Sequence, residues 1–172
     1  MKILGIDPGY ERLGIAILEK PARSAFSTTD AGGDKKSKKE ELLFSECFKT
    51  SVKLEFPERL LLLGKKIEEI IKKHKPDVLS IETLFFTTNQ KTAMHVAETR
   101  GVIIYEAKKS NLQIFEISPL QVKIATTGYG KASKDQVMKM VKTLIQMDKT
   151  KKSDDELDAI AIALTASAHL KF

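Results

Sequence analysis

The sequence predicts an α/β domain in which helices cover both faces of a mixed β-sheet. Three short segments with strand character come first, and helical patterns alternate with two further apolar segments after residue 57. Such an order, with strands first and strand–helix alternation afterwards, is typical of a mixed sheet with helices on both faces. Because 172 residues is the length of one ordinary domain, we expect residues 1–172 to form a single domain.

The first half of the chain predicts three strands, a loop and a helix. The strands are short apolar or loosely alternating runs, at residues 3–6, 14–18 and 42–52. Residues 21–41 are rich in Ser, Thr, Asp, Gly and Lys and show no periodicity, which predicts a long mobile loop. Residues 58–74 carry apolar side chains at helical spacing, and Pro76 follows as a stop signal.

The second half predicts two strands and four helices. The strands are residues 78–81 and 112–117, and the helices are residues 89–109, a short one opening at Pro119, 134–147, and a last one after Ser153. The segment Gly128-Tyr129-Gly130 ends the short helix. Ser153 followed by Glu156 forms a capping box, and residues 157–164 are apolar almost all round, so the last helix is predicted to be buried.

Composition excludes several classes of protein. No apolar run approaches the ~18 residues that a membrane span requires, and the first residues reach Asp7 too early for a signal peptide. Cys47 is the only cysteine, which excludes a disulfide framework and a cysteine-based zinc site. We therefore expect a cytoplasmic protein with no membrane partner.

The charge balance favours a polyanionic partner. The net charge is +6 and the pI is near 9.3, which fits nucleic acid but equally fits a lysine-rich surface that maintains solubility. Only four of the basic residues are arginines. Lysine suits phosphate and arginine suits guanine edges, so this composition favours contact with the nucleic-acid backbone.

Four acidic residues stand where an ordinary core would exclude them: Asp7, Glu82, Asp155 and Asp158. Asp7 and Glu82 each end an apolar strand. Asp155 and Asp158 lie at i and i+3 near the start of the last helix, so they share a face. Taken singly, Asp7 could start a turn, Glu82 could be a solvated strand end, and Asp155 could stabilise the helix dipole. Asp158, inside an apolar helix, is the hardest to explain in this way.

Taken together, the four acids predict a metal site. Strand ends and a helix N-terminus can converge at one point of an α/β sheet, where two carboxylates ~5 Å apart repel by roughly 3 kcal/mol at an effective dielectric of ~20. Two divalent cations would balance four negative charges, and oxygen ligands without Cys or His favour Mg²⁺ or Mn²⁺ over zinc. Two such ions on a carboxylate cluster support in-line attack on phosphodiesters. A basic chain with this cluster is therefore predicted to be a nuclease.

The chain resembles the RuvC family of Holliday junction resolvases in motifs that occur in family order. These are Ile6-Asp7-Pro8-Gly9 with Gly14-Ile15-Ala16, Ile81-Glu82-Thr83-Leu84-Phe85, Arg100-Gly101-Val102, Pro119-Leu120-Gln121-Val122-Lys123, Lys134-Asp135-Gln136-Val137 and Asp155-Glu156-Leu157-Asp158-Ala159. One Asp-Pro-Gly would be weak evidence. The whole ordered set is specific, and it covers nearly all of the chain outside residues 19–41.

The resemblance implies an RNase H-like fold with a mixed five-stranded sheet, a homodimer, and Mg²⁺-dependent symmetric nicking of four-way DNA junctions in recombination and repair. It implies two Mg²⁺ ions per subunit, with Mn²⁺ as a substitute, held by Asp7, Glu82, Asp155 and Asp158. Lys123 and Lys134 match basic residues near the scissile phosphate, and Phe85 matches an aromatic that contacts a base near the junction centre. The branch-migration proteins RuvA and RuvB are further partners that the resemblance suggests.

Several alternatives remain open for individual residues. Asp154 adjoins Asp155 and could replace it as a ligand, although the family register favours Asp155. Phe85 could be a core side chain, and Lys123 and Lys134 could be solvated helix surface. The competing functions are another RNase H-like nuclease, such as the YqgF-type relatives of RNA processing, and a non-catalytic junction-binding protein.

The chain also departs from the family pattern. The loop over residues 21–41 is longer than usual and has no family role to inherit. Tyr10 stands where the family commonly has a small hydroxyl residue, so a contact to phosphate or to the metal shell is in doubt there. Glu156-Leu157 replaces a pair of small residues between the two aspartates. We expect Glu156 to close the capping box and Leu157 to face the core, without loss of function.

Overall fold

A mixed five-stranded sheet covered by helices on both faces organises the protein. The computed structural model describes residues 1–21, 39–84, 90–148 and 150–170. The strands are β1 (Lys2–Asp7), β2 (Arg12–Glu19), β3 (Glu41–Lys49), β4 (Val78–Glu82) and β5 (Gln113–Ile117). The helices are α1 (Phe56–His74), α2 (Gln90–Lys109), α3 (Pro119–Thr127), α4 (Lys134–Leu144) and α5 (Asp154–His169).

The strand order is β3-β2-β1-β4-β5, and the pairing changes direction at β1. Strands β1 and β2 pair antiparallel across a short turn, and β2 and β3 also pair antiparallel. Strand β4 pairs parallel with β1, and β5 pairs parallel with β4, with a helix before each of them along the chain. This arrangement confirms the predicted mixed sheet. No helix in the described ranges is long and apolar enough to cross a membrane.

Alternation along the strands divides the core between the two faces. In β1, Leu4 and Ile6 face α1 and α2, whereas Ile3 faces α4 and α5. The α1–α2 layer is built from Leu and Ile side chains, and the layer beneath α5 is rich in alanine. The sheet therefore has one bulky and one small-residue face, and the acidic strand ends belong to the second.

Two predicted elements are wrong at their ends. The strand predicted over 42–52 stops at Lys49. Next to it, the Thr50 amide donates to the Glu11 carbonyl and the Thr50 hydroxyl donates to the Tyr10 carbonyl, which ties the end of β3 to the β1–β2 turn. Val52 follows in a turn with 77% of its surface exposed. The helix predicted over 134–147 stops at Leu144, because Gln146 leaves it to pair with Glu41, the first residue of β3.

The remaining elements agree with the predictions within a few residues. The short helix α3 ends where Gly128 adopts a left-handed φ of 73°, which a residue without a side chain adopts at no cost. Ser153 and Glu156 form the predicted capping box of α5, and Leu157 is buried. Most of the predicted loop over 21–41 lies outside the described residues, as do Phe85 and the following residues to Asn89.

Candidate active site at the end of the sheet

Asp7 and Glu82 lie side by side at the ends of two parallel strands. Ile6 of β1 pairs with Ile81 of β4, so the next residue of each strand reaches the same edge of the sheet. Ser80, two residues before Glu82, donates to the Ile162 carbonyl of α5. Because alternate residues of a strand lie on the same face, Glu82 faces α5 as Ser80 does. Asp7 faces α5 for the same reason, since it follows Gly5 by two residues and Gly5 lies against Ala159 of α5.

Two glycines let the backbone of α5 approach the sheet. A Cβ on Gly14 would lie 2.2 Å from the Asp155 carbonyl oxygen and 3.1 Å from Asp7 Cβ. A Cβ on Gly5 would lie 2.3 Å from the Ala159 carbonyl oxygen. Any larger residue at these two positions would push the helix away, so they fix the first turns of α5 against β1 and β2.

This close approach brings the helix acids to the strand acids. Burial and then the charges of Asp158, Glu82 and Asp155 raise the pKa of Asp7 from 3.8 to about 7. Burial and the charge of Asp158 also raise the pKa of Glu82. Burial raises the pKa of Asp158, although the neighbouring ammonium of Lys134 counteracts it. The structure therefore gathers all four predicted acids into one acid cluster that carries excess negative charge.

Among the described residues, two cationic side chains contact the acid cluster. Lys134, the first residue of α4, places its Nζ 2.9 Å from Asp158 Oδ2 and 3.9 Å from Asp154 Oδ2. Arg12, the first residue of β2, pairs through its Nη2 with Asp155 Oδ2. The same Asp155 oxygen accepts from Cys47 Sγ at 3.3 Å, and burial raises the pKa of this thiol, which keeps it protonated as a donor.

Asp154 and Asp155 differ in surroundings. The Asp155 side chain is 19% exposed and points to Cys47 and Arg12, whereas that of Asp154 is 78% exposed. Asp155, but not Asp154, is also among the charges that raise the pKa of Asp7. This geometry favours Asp155 as the member of the cluster.

The donor chemistry fits hard divalent cations. Four carboxylates with excess negative charge are the ligands that Mg²⁺ and Mn²⁺ prefer. In the described ranges, no three His, Cys, Asp or Glu side chains are arranged to hold an ion as they stand. Asp155 and Asp158 instead face Arg12 and Lys134. In the structure, two of the four carboxylates are thus paired with cations of the chain itself.

Lys123 and Tyr10 make no hydrogen bond or ion pair with the acid cluster among the described residues. Lys123 is half-buried on α3 and makes no ion pair in the part of the chain that the structure describes. Phe85 lies outside that part. Tyr10 packs edge-on against Phe56 and His95, with Arg59 over its ring at 5.1 Å. The tyrosine thus fills an aromatic contact between the β1–β2 turn and the helices α1 and α2.

Three residues near the acids were not predicted as part of the site. Arg12 and Cys47 contact Asp155, and Arg100 Nε donates to the Glu82 carbonyl at 3.1 Å while its guanidinium pairs with Glu116. A period-two reading of β2 would have placed Arg12 on the same face as Gly14. Arg100 belongs to one of the motifs that carry the resemblance, but no site role was predicted for it. Nothing local indicates Cys47, because its partner is distant in sequence.

Comparisons with known proteins agree with this geometry. The family model of the crossover junction endodeoxyribonuclease RuvC matches residues 3–166. A RuvC of Caldicellulosiruptor saccharolyticus is 42% identical over 164 residues, which cover 95% of this chain and 90% of the relative. A RuvC of Petrotoga mobilis is 40% identical over 163 residues, which cover 95% and 91%.

Solved structures lead to the same family. The chain superimposes on Thermus thermophilus RuvC with a TM-score of 0.83 and 27% identity, covering 98% of this chain and 95% of that one. Thermus thermophilus RuvC in complex with a Holliday junction substrate gives a TM-score of 0.84 at 27% identity, over 98% and 94% of the two chains. The fold of this chain thus agrees with that of a RuvC over nearly its whole length, and its four predicted acids lie together. The chain belongs to the RuvC family of crossover junction endodeoxyribonucleases.

Proposed function

We propose that this chain, as a divalent-metal-dependent nuclease of the RuvC family, resolves four-way DNA junctions by paired symmetric nicks in recombination and repair. The observation that carries the proposal is the acid cluster, in which burial and three neighbouring carboxylates raise the pKa of Asp7 to about 7. A non-catalytic junction-binding protein would have no need of four converging acids. We further propose that residues 1–172 act as one domain in the cytoplasm.

Asp7, Glu82, Asp155 and Asp158 are proposed to hold two Mg²⁺ ions, with Mn²⁺ as a substitute. Divalent ions bound there would supply Lewis acidity for the attacking water and the leaving 3′ oxygen. The chain's own contribution is a rigid arrangement of carboxylates. Asp7 and Glu82 are fixed by adjacent strands, and Asp155 and Asp158 by the first turns of a capped helix.

Basic side chains around the acids are proposed to bind the DNA backbone. Lys134 Nζ lies 2.9 Å from Asp158 Oδ2, so its ammonium is at the edge of the cluster, where it can offset charge that develops on a phosphate. Lys123 is free of internal ion pairs among the described residues and is proposed to contact the same strand. Phe85, three residues after Glu82, is proposed to stack on an unpaired base at the junction centre.

A homodimer is proposed to present two such sites to the two scissile strands. Helix α2 exposes Met94 and Tyr105, and Leu61 is exposed on the adjacent surface of α1. Gly64 and Val102 line the groove between these two helices. An apolar surface of this kind fits a two-fold contact with a second copy, whose symmetry would match that of the junction. RuvA and RuvB are proposed as further partners of this dimer.

The test is a nicking assay on a synthetic four-way junction beside a linear duplex, with and without Mg²⁺. We expect Mg²⁺-dependent nicks at symmetric positions on the junction and little cleavage of the duplex. Asp155→Asn should abolish cleavage while junction binding persists, and Asp154→Asn is the matched control that should retain it. Equal cleavage of duplex and junction would contradict the proposal, and cleavage of RNA in preference to the junction would favour the YqgF-type alternative.

A further inference from the structure

The pair formed by Arg12 and Asp155 has no role in the function proposed above. Arg12 begins β2, on the rim of the acid cluster, and its side chain is 53% exposed. Its Nη2 contacts Oδ2 of Asp155, whose side chain is 19% exposed. One end of this ion pair is therefore accessible to solvent, and the other lies inside the proposed metal site.

The contact is incompatible with a metal ion at the same oxygen. Asp155 Oδ2 already accepts from Arg12 and from Cys47 Sγ at 3.3 Å, so its lone pairs are occupied by two donors. A guanidinium stays charged at any working pH, so it cannot vacate the site by losing a proton. A divalent cation that binds this oxygen must therefore displace Arg12 against the repulsion between like charges.

The arrangement of the acids agrees with such a competition. The four carboxylates are close enough to interact electrostatically, yet no three acidic, His or Cys side chains of the described residues are positioned to hold an ion together. Asp155 is turned toward Arg12 instead. Arg12 thus places a positive charge on a carboxylate of the proposed metal site.

We propose that Arg12 competes with the divalent metal ion for the Asp155 carboxylate, so that metal binding requires the Arg12–Asp155 pair to break. The inference rests on the proposed assignment of Asp155 as a metal ligand. The rival arrangement keeps Arg12 on Asp155 while the metal takes the other oxygen. In that case Arg12 would orient the ligand and strengthen metal binding. The two arrangements predict opposite effects of removing the guanidinium.

The experiment measures Mn²⁺ affinity of the full chain without DNA by isothermal titration calorimetry, for wild type, Arg12→Gln, Lys49→Gln and Asp155→Asn. Lys49 is the matched control, because it is an exposed lysine that pairs with Arg12 across the β2–β3 ladder and makes no ion pair among the described residues. Arg12→Gln should bind Mn²⁺ roughly threefold to tenfold more tightly, from the loss of one exposed ion pair and one like charge. Lys49→Gln should change affinity by less than about twofold.

The outcomes distinguish this inference from the site assignment. Two results would overturn the competition: weaker Mn²⁺ binding by Arg12→Gln, or a gain in its affinity no larger than that of Lys49→Gln. If Asp155→Asn loses affinity in the same experiment, Asp155 remains a metal ligand. Unchanged affinity in Asp155→Asn would remove Asp155 from the metal site itself. As a second readout, Mn²⁺ should raise the melting temperature of Arg12→Gln more than that of wild type at the same concentration. An equal or smaller rise would contradict the proposal.

Discussion

The two faces of the sheet are packed in different ways. Against α1 and α2, the strands present Leu4, Ile6 and Ile81, which meet bulky side chains such as Leu63 and Ile67. Where α5 crosses β1 and β2, the contacts are between glycines and alanine or backbone atoms, and the distances leave no space for one additional carbon. The first face buries apolar volume, and the second minimises the separation between helix and sheet.

The two faces therefore have different roles: one stabilises the fold, and the other positions the acidic side chains. Bulky side chains stabilise the fold in proportion to the apolar area they bury, but they tolerate small shifts between layers. Carboxylates that must converge need fixed backbones, because a misplacement of about 1 Å can cost on the order of 100-fold in rate. The small-residue face positions the acids of α5, and the bulky face stabilises the sheet on which they converge.

The largest effect is expected from Gly14→Ala. Its Cβ would lie 2.2 Å from the Asp155 carbonyl oxygen, so the start of α5 must move away from β2. We expect a loss of roughly 1–3 kcal/mol in stability and of about 100-fold or more in junction cleavage. Gly101→Ala, in helix α2 on the other face, is the control. Its Cβ would meet no heavy atom within 4 Å, so both quantities should stay near wild type. Similar losses in both variants would remove the distinction between the faces.

Ile67→Ala should produce the opposite pattern. Ile67 is fully buried between α1 and the sheet, on the face opposite the acid cluster. Truncation should lower the free energy of unfolding by roughly 2–5 kcal/mol. At a temperature where the variant is folded, its junction cleavage should remain within a few-fold of wild type. Denaturant unfolding and a nicking assay measure the two effects, and a hundredfold loss of cleavage in the folded variant would contradict the different roles of the two faces.

The pH dependence of stability tests the convergence of the acids. Below pH 3.8, Asp7 is protonated in both the folded and the unfolded chain; between pH 3.8 and about 7, only the unfolded chain loses the proton. The stability linked to Asp7 is therefore present at low pH and is lost as pH rises through about 7. In metal-free protein, Asp7→Asn should gain roughly 2–4 kcal/mol over wild type between pH 4 and pH 8.

Chemical denaturation of both proteins across this pH range, in a chelating buffer, measures the gain. Saturating Mg²⁺ should reduce the difference, because bound cations would stabilise the ionised carboxylates of wild type. Parallel pH profiles for wild type and Asp7→Asn would mean that the acids do not interact as the structure indicates.

The outer surface of the bulky face should yield a smaller, separate effect. Tyr105→Asp places a charge on the exposed groove between α1 and α2 without touching the core or the acids. Sedimentation of wild type should give a mass of about twice 19.2 kDa. The dissociation constant of the variant dimer should be roughly tenfold higher or more. Each variant protomer should still bind Mn²⁺ like wild type. A wild-type monomer at micromolar concentration would contradict the dimer.

The sequence was sufficient for the parts that depend on local pattern. The apolar runs that end in Asp7 and Glu82, and the capping box at Ser153, predicted both the elements and the acids that converge. The end of β3 was not predictable, because the bonds that tie it to the β1–β2 turn join Thr50 to Tyr10 and Glu11, which are distant in sequence.

The same limit applies inside the site. The period-two pattern of β2 indicates only the face on which Arg12 lies, and nothing local marks Cys47. The packing of β2 and β3 against the start of α5 brings both side chains to Asp155. The end of α4 likewise depends on a distant partner, since Gln146 pairs with Glu41. For Lys123 and Phe85, the expected roles remain predictions that the described contacts leave untested.

The most direct test of the central claim is the cleavage of a four-way junction by Asp158→Asn. Asp158 lies one turn inside a buried helix, and its carboxylate contacts Lys134 and raises the pKa of Asp7. The account predicts that Mg²⁺-dependent cleavage falls below roughly one-hundredth of wild type, while junction binding and the melting temperature persist and Asp154→Asn cleaves normally. Normal cleavage by Asp158→Asn would contradict the acid cluster as the catalytic site.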